Sequence, residues 1–139
     1  MSDRKFVDTN ILDYAIDQSS GIKYEKAKNL LNQLWESGQG TISTQVLQEF
    51  AAYLRRKVAR PLSTHETLRI LQDFMGWTIF VNTAQSVLLA LEIEERYRIS
   101  FWDALIVQAA EGSGATILYT EDLSHGQTYG NVRAVNPFK

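Results

Sequence analysis

The 139-residue chain contains no cysteine, so disulfides, zinc–thiolate sites, iron–sulfur clusters and cysteine nucleophiles are excluded. It has only two histidines, which leaves little of the imidazole chemistry that suits zinc or copper. Long apolar runs are also missing. A stretch such as Val87 to Leu91 falls far short of the ~20 residues needed to span a membrane. Near the N-terminus, Arg4 and Lys5 are followed by only Phe6 and Val7 before Asp8, which is not the apolar core of a secretory signal. A cytoplasmic protein with no membrane association is therefore expected. With no internal repeat, low-complexity tract or linker, residues 1–139 are expected to form a single domain.

Neither sign of charge is in large excess. Fourteen basic against 16 acidic residues give a net charge of −2, which lacks the global signature of a nucleic-acid-binding protein. That objection weakens if several acids gather in one metal site, where bound divalent cations reverse the local sign. What the chain does have is a globular balance: 45% of residues are hydrophobic and 22% charged, too apolar for a disordered polypeptide.

Five short segments read as strands: Lys5 to Val7, Thr41–Ile42, Trp77 to Val81, Ala115 to Tyr119 and Val132 to Val135, the last stopped by Asn136 and Pro137. Helical spacing lies between them. Tyr24, Ala27, Leu30, Leu31, Leu34 and Trp35 share one face and end at Gly38, and Val46, Leu47, Phe50, Tyr53 and Leu54 repeat the pattern after Thr44. Ser63 and Glu66 form a capping box after Pro61. Val87, Leu88 and Leu91 mark a further helix, and Ser100 opens another through Trp102, Ala104, Leu105 and Ala109, closed by Gly112 and Gly114. Strands alternating with helices predict an α/β fold of three layers, with a mostly parallel central sheet of about five strands and helices on both faces. In such a sheet the ligand site lies beyond the carboxyl ends of the strands, where strand order reverses.

Acids just after strands are thus the candidates. Asp8 follows the first strand and should open the next helix. Asp122 stands in the same relation to the fourth, beside Glu121, and strand alternation would let only one of that pair point inward. Glu49 shares a helix side with Val46 and Tyr53 at the edge of the apolar stripe, where an unpaired charge is costly unless it finds a partner or a cation. Asp103 lies in the first turn of its helix, between Trp102 and Ala104. Four hard oxygen donors suit Mg²⁺ or Mn²⁺. Without a cation they would repel one another and bind protons. At a phosphodiester, a divalent ion activates water and stabilises charge on the leaving oxygen, so the implied chemistry is phosphoryl hydrolysis. Taken singly, each acid also has a plainer reading: Asp8 as an Asx-turn or helix cap, Asp122 as a loop acid, and Asp103 as the partner of Ser100 in a capping-box variant.

The segments FVDTNIL at 6–12, STQVLQEF at 43–50, SFWDALIVQAA at 100–110 and YTEDLSHGQ at 119–127, with VNPF at 135–138, resemble the PIN domain, and in particular the VapC toxins of bacterial toxin–antitoxin pairs. The resemblance covers nearly the whole chain. It implies a PIN-like parallel sheet and a Mg²⁺- or Mn²⁺-dependent endoribonuclease whose catalytic, metal-holding acids match Asp8, Glu49, Asp103 and Asp122. Thr9, Asn10 and Thr120 match polar residues that orient those ligands. It further implies a homodimer, silencing by a cognate antitoxin, and a structured RNA substrate such as transfer or ribosomal RNA, cut to leave a 5′-phosphate and a 3′-hydroxyl.

Arg55, Arg56, Lys57 and Arg60 form the densest basic cluster; they read either as RNA phosphate contacts, with Arg56 two turns beyond Glu49, or as a solvated face. His65 and His125 are assigned to surface or loop roles, because metal-activated water leaves no need for a histidine base. Trp35, Trp77 and Trp102 read as core rather than as base-stacking platforms. Rival functions are a nuclease of the same fold acting in RNA processing or on DNA, and a receiver-like signalling module. The latter asks for a phosphoacceptor Asp after a middle strand, where this chain has Ser43, Thr44, Val81 and Asn82. A dehalogenase-type phosphatase would need Asp at position 10, which is Asn.

Overall fold

A computed structural model describes residues 3–139. Six strands, β1 (Lys5–Val7), β2 (Gly40–Ser43), β3 (Thr78–Phe80), β4 (Ile117–Tyr119), β5 (Thr128–Tyr129) and β6 (Val132–Val135), form one sheet in the order β3-β2-β1-β4-β6-β5. Every neighbouring pair is parallel except β5 with β6. The expectation of about five strands thus becomes six. The additional β5 is a two-residue edge strand returned against β6 through Gly130–Asn131, with Gly130 at φ 61°. A Gly-Asn pair between short β segments is a hairpin signal, but two residues are too few to show alternation.

The helices are α1 (Thr9–Ile16), α2 (Ile22–Ser37), α3 (Thr44–Arg56), α4 (Thr64–Asp73), α5 (Ala84–Tyr97) and α6 (Phe101–Gly112). Local chemistry accounts for their ends. Gly38 adopts φ 71° and returns its N–H to the Leu34 carbonyl, which stops α2. Ser63 and Glu66 make the reciprocal capping box, with bonds of 3.0 and 3.1 Å. The central strands β1 and β2 are almost wholly buried, and Phe6, Val7, Ile42 and Leu118 pack with Ile11, Val46, Phe50 and Val107 in the main core.

Helix α5 forms where its periodicity predicts, but with the opposite face inward. Ser86 and Ala90 are buried towards α6, whereas Val87, Leu88, Leu89 and Leu91 are exposed. Ala90 packs with Ala104 and Leu105 of α6, and Ile93 and Tyr97 pack from the same helix against the core, which turns the leucine-rich face outward. No helix among the described residues is long and apolar enough to cross a membrane.

The chain runs outward from β1 to β2 and β3, then crosses back to place β4 on the other side of β1. Strand order therefore reverses between β1 and β4, and the crevice beyond their carboxyl ends is the ligand position of an open α/β sheet. A hydrogen bond of 2.9 Å from the Asp8 N–H to the Tyr119 carbonyl ties the two strand ends together there.

Candidate metal centre

Asp8 leaves β1 and caps α1. Its Oδ1 accepts from the Thr9 N–H at 2.7 Å and its Oδ2 accepts from the Thr120 hydroxyl at 2.8 Å. The cap reading and the ligand reading are therefore compatible. The same Thr120 oxygen accepts from the Asp122 N–H at 3.1 Å, and the Asn10 amide donates to Asp122 Oδ2 at 2.9 Å. Asp103 stands in the first turn of α6, where the Ser100 hydroxyl accepts from its N–H at 3.1 Å.

One carboxylate oxygen from each of Asp8, Asp103 and Asp122 lies within 4.8 Å of the others. Three remote segments, at β1, α6 and the loop after β4, thus converge at the point where strand order reverses. Glu49 stands on the wall of the same cleft, held by the Thr9 hydroxyl at 2.6 Å. It is exposed to that cleft rather than pressed against the apolar stripe, and Thr9 is the partner its charge requires. The cleft encloses about 390 Å³.

The electrostatics are those of acids forced together. Asp8 is only 5% exposed. Burial pushes its carboxyl up from 3.8 to about 7, against the pull of the Thr120 and Thr9 hydrogen bonds, and Asp122 and Asp103 push it further. Asp103 is raised as well, by burial and then by Asp122 and Glu49, with a Ser100 hydrogen bond opposing.

Asp13, which sequence reasoning missed, is a further acid of the cleft. Burial followed by Glu49 and Asp8 raises it from 3.8 to about 7, and Lys57 opposes the rise. Its signal was position: four residues after Thr9, it lies on the same side of α1. Buried acceptor oxygens on Asn10, Asp13 and Gln45 have no partner among the described residues. Convergent carboxylates, raised proton affinity and orphaned oxygen acceptors fit a hard divalent cation.

Glu121 is turned away. Tyr14 donates to its Oε1 at 2.6 Å and Lys23 pairs with its Oε2. Burial pushes its carboxyl up, but the Lys23 and Tyr14 hydrogen bonds more than reverse this and hold it below the ordinary range. Strand alternation does not separate it from Asp122, because β4 ends at Tyr119 and both acids lie in a bend. The Tyr14–Lys23 clasp makes the separation instead.

The basic cluster divides. Lys57, at the end of α3, lines the acidic cleft, while Arg60 lines a separate groove beside Ile16 and Asp17. Arg55 and Arg56 are exposed on the last helical turn. Of the four, Lys57 is the one that lines the cleft, where its charge opposes the rise at Asp13. Trp77 is buried and packs edge-on against Trp35 and Phe74. Trp102 departs from the core expectation: it is 63% exposed and lines the cleft. Its ring stands edge-on to the neighbouring Phe101, with ring centroids 5.3 Å apart. His125 accepts from the Asn136 N–H at 2.9 Å, a loop-bracing role, and His65 is exposed on α4.

The PIN domain family model matches residues 5–131. The chain belongs to the PIN domain family. Among solved structures, this PIN domain is similar to a toxin–antitoxin complex from Klebsiella pneumoniae, at 22% identity and a TM-score of 0.66, covering 96% of this chain and 97% of that one. It is also similar to Mycobacterium tuberculosis VapC20, described as a sarcin–ricin loop-cleaving toxin, at 20% identity and a TM-score of 0.64, covering 93% and 98%. DNA-bound VapBC from Salmonella typhimurium matches at 18% identity and a TM-score of 0.65, covering 96% and 97%. At these identities the likeness is one of fold. No curated protein matched in the corresponding sequence comparison. The PIN family is one of nucleases, and the Asp8–Asp103–Asp122 cluster is suited to metal-assisted hydrolysis.

Proposed function

We propose that this PIN domain is a Mg²⁺- or Mn²⁺-dependent endoribonuclease acting as the toxin of a toxin–antitoxin pair. The observation that carries the reading is the convergence of Asp8, Asp103 and Asp122 oxygens within 4.8 Å at the strand-order switch of a PIN chain. Asp8, Asp103 and Asp122 would hold the cation, with Glu49 facing it across the cleft. The ion, when bound, supplies Lewis acidity toward a phosphodiester and activates water. Thr9, Asn10 and Thr120 orient Glu49, Asp122 and Asp8 respectively. Lys57 offers a cation to an incoming phosphate at the edge of the cleft, and Trp102 a flat face to a base.

Both partner proposals rest on surface. An apolar groove between α1, α2 and α4, lined by Leu12, Ile16, Leu31, Trp35, Ile70 and Phe74, is the seat we assign to an antitoxin segment, since the similar structures include toxin–antitoxin complexes. The exposed leucines of α5 supply a face for a homodimer.

The test is cleavage of transfer and ribosomal RNA in Mg²⁺ or Mn²⁺. Activity should disappear with chelator and in Asp8→Asn, and the 5′ ends of the products should carry phosphate. Expression without an antitoxin should arrest growth, whereas Asp103→Asn should not. Cleavage surviving both chelation and Asp8→Asn would reject the proposal, and cleavage restricted to DNA would move the chain to the rival nuclease class.

A further inference from the structure

Gln45 lies in the first turn of α3, one turn before Glu49, so helical spacing places both on the side facing the cleft. It is only 5% exposed, and a large polar side chain at such a position must satisfy its amide. Its Nε2 lies 3.4 Å from Glu49 Oε2 and 3.3 Å from the Trp102 carbonyl. Both neighbours are acceptors only, so the NH₂ end of the amide must face them. This leaves Oε1 in the cleft wall, buried and without a partner among the described residues.

The two bonds join parts that no backbone ladder connects. Glu49 belongs to α3, and Trp102 immediately precedes Asp103 in the first turn of α6. On its other side Glu49 takes the Thr9 hydroxyl from α1, so its carboxylate is gripped by donors from two helices.

We propose that Gln45 is a positioning residue of the metal centre: its amide N–H groups hold the Glu49 carboxylate and the start of α6 in one frame, and its Oε1 is the acceptor for water carried by the bound cation. The proposal rests on the metal-nuclease reading above. It assigns Gln45 no contact with the reacting atoms. It acts through Glu49 and through the setting of Asp103.

The experiment compares the full chain with Gln45→Met, which keeps the side-chain length and removes every hydrogen bond, in wild-type and Glu49→Gln backgrounds. Mn²⁺ affinity is measured by calorimetry, with kcat and KM on a cleavable RNA alongside. Loss of a residue that orients a metal ligand typically weakens affinity or activity about 10- to 100-fold. Gln45→Met should therefore bind Mn²⁺ roughly tenfold more weakly, with lower kcat and unchanged KM for RNA. In the Glu49→Gln background the same substitution should cost less, about threefold, because the part exerted through Glu49 is already lost and only the part exerted through Asp103 and the water remains. Gln45→Leu serves the same comparison if the Met variant folds poorly. Wild-type Mn²⁺ affinity in Gln45→Met, or an equal loss in both backgrounds, would overturn the positioning role alone. Failure of the unaltered chain to bind Mn²⁺ would overturn it together with the metal-nuclease reading.

Discussion

Asp8→Asn offers a test that needs no RNA. The carboxyl of Asp8 is raised from 3.8 to about 7 in the folded chain, chiefly by burial. An acid with a raised folded pKa holds its proton more tightly when folded than when unfolded, so the folded state loses stability as pH climbs from about 4 and bears the full penalty above about 7. The interval from 3.8 to about 7 corresponds to roughly 4 kcal/mol at pH 8 and to less than ~1 kcal/mol at pH 4. Asparagine removes the charge and keeps the shape. Its Oδ1 can still accept from the Thr9 N–H, and its amide can donate to the Thr120 oxygen that now accepts the Asp122 N–H. In chelator at pH 8 the variant should therefore exceed the wild type in stability by about 1–3 kcal/mol, after allowance for burying the new amide. The advantage should vanish near pH 4. Mn²⁺ should reverse the ranking at pH 8, because the ion stabilises only the state that binds it. Urea denaturation at the two pH values, with and without Mn²⁺, gives all the comparisons. A variant less stable than wild type at pH 8 in chelator, or one stabilised equally by Mn²⁺, would refute the view of Asp8 as a strained ligand awaiting a cation.

The two adjacent acids should part company: Asp122→Asn should reduce RNA cleavage at least 100-fold, while Glu121→Gln, which only loosens the Tyr14–Lys23 clasp, should retain activity within about tenfold. Equal losses would place both in the site. Trp102→Ala should raise KM for RNA by roughly tenfold with kcat retained, as loss of one stacked base does; Trp102→Phe should recover most of it, and unchanged KM in Trp102→Ala would remove the stacking role. Leu88→Lys, on the exposed face of α5, should convert a dimer to a monomer in light scattering while the far-UV circular dichroism of the fold stays unchanged, and an unchanged mass would move the interface elsewhere.

Much of this protein is local and so can be read along the chain. Alternating strands and helices, the Gly38 stop and the Ser63–Glu66 box are decided by spacing and by backbone bonding within a few residues. The placing of Asp8 after the first strand follows from the same local pattern. Packing and topology decided the rest. Sequence spacing has no term for distance between β1, α6 and the loop after β4, and only the crossover that sets β4 beside β1 brings Asp8, Asp103 and Asp122 within 4.8 Å. Asp13 and Gln45 enter the cleft because of the way α1 and α3 lie across its walls. Glu121 leaves it because Tyr14 and Lys23, about a hundred residues earlier, capture its charge. The outward leucines of α5 and the exposed Trp102 have one cause: periodicity identifies an apolar face, but the neighbouring element selects which residues that face can bury.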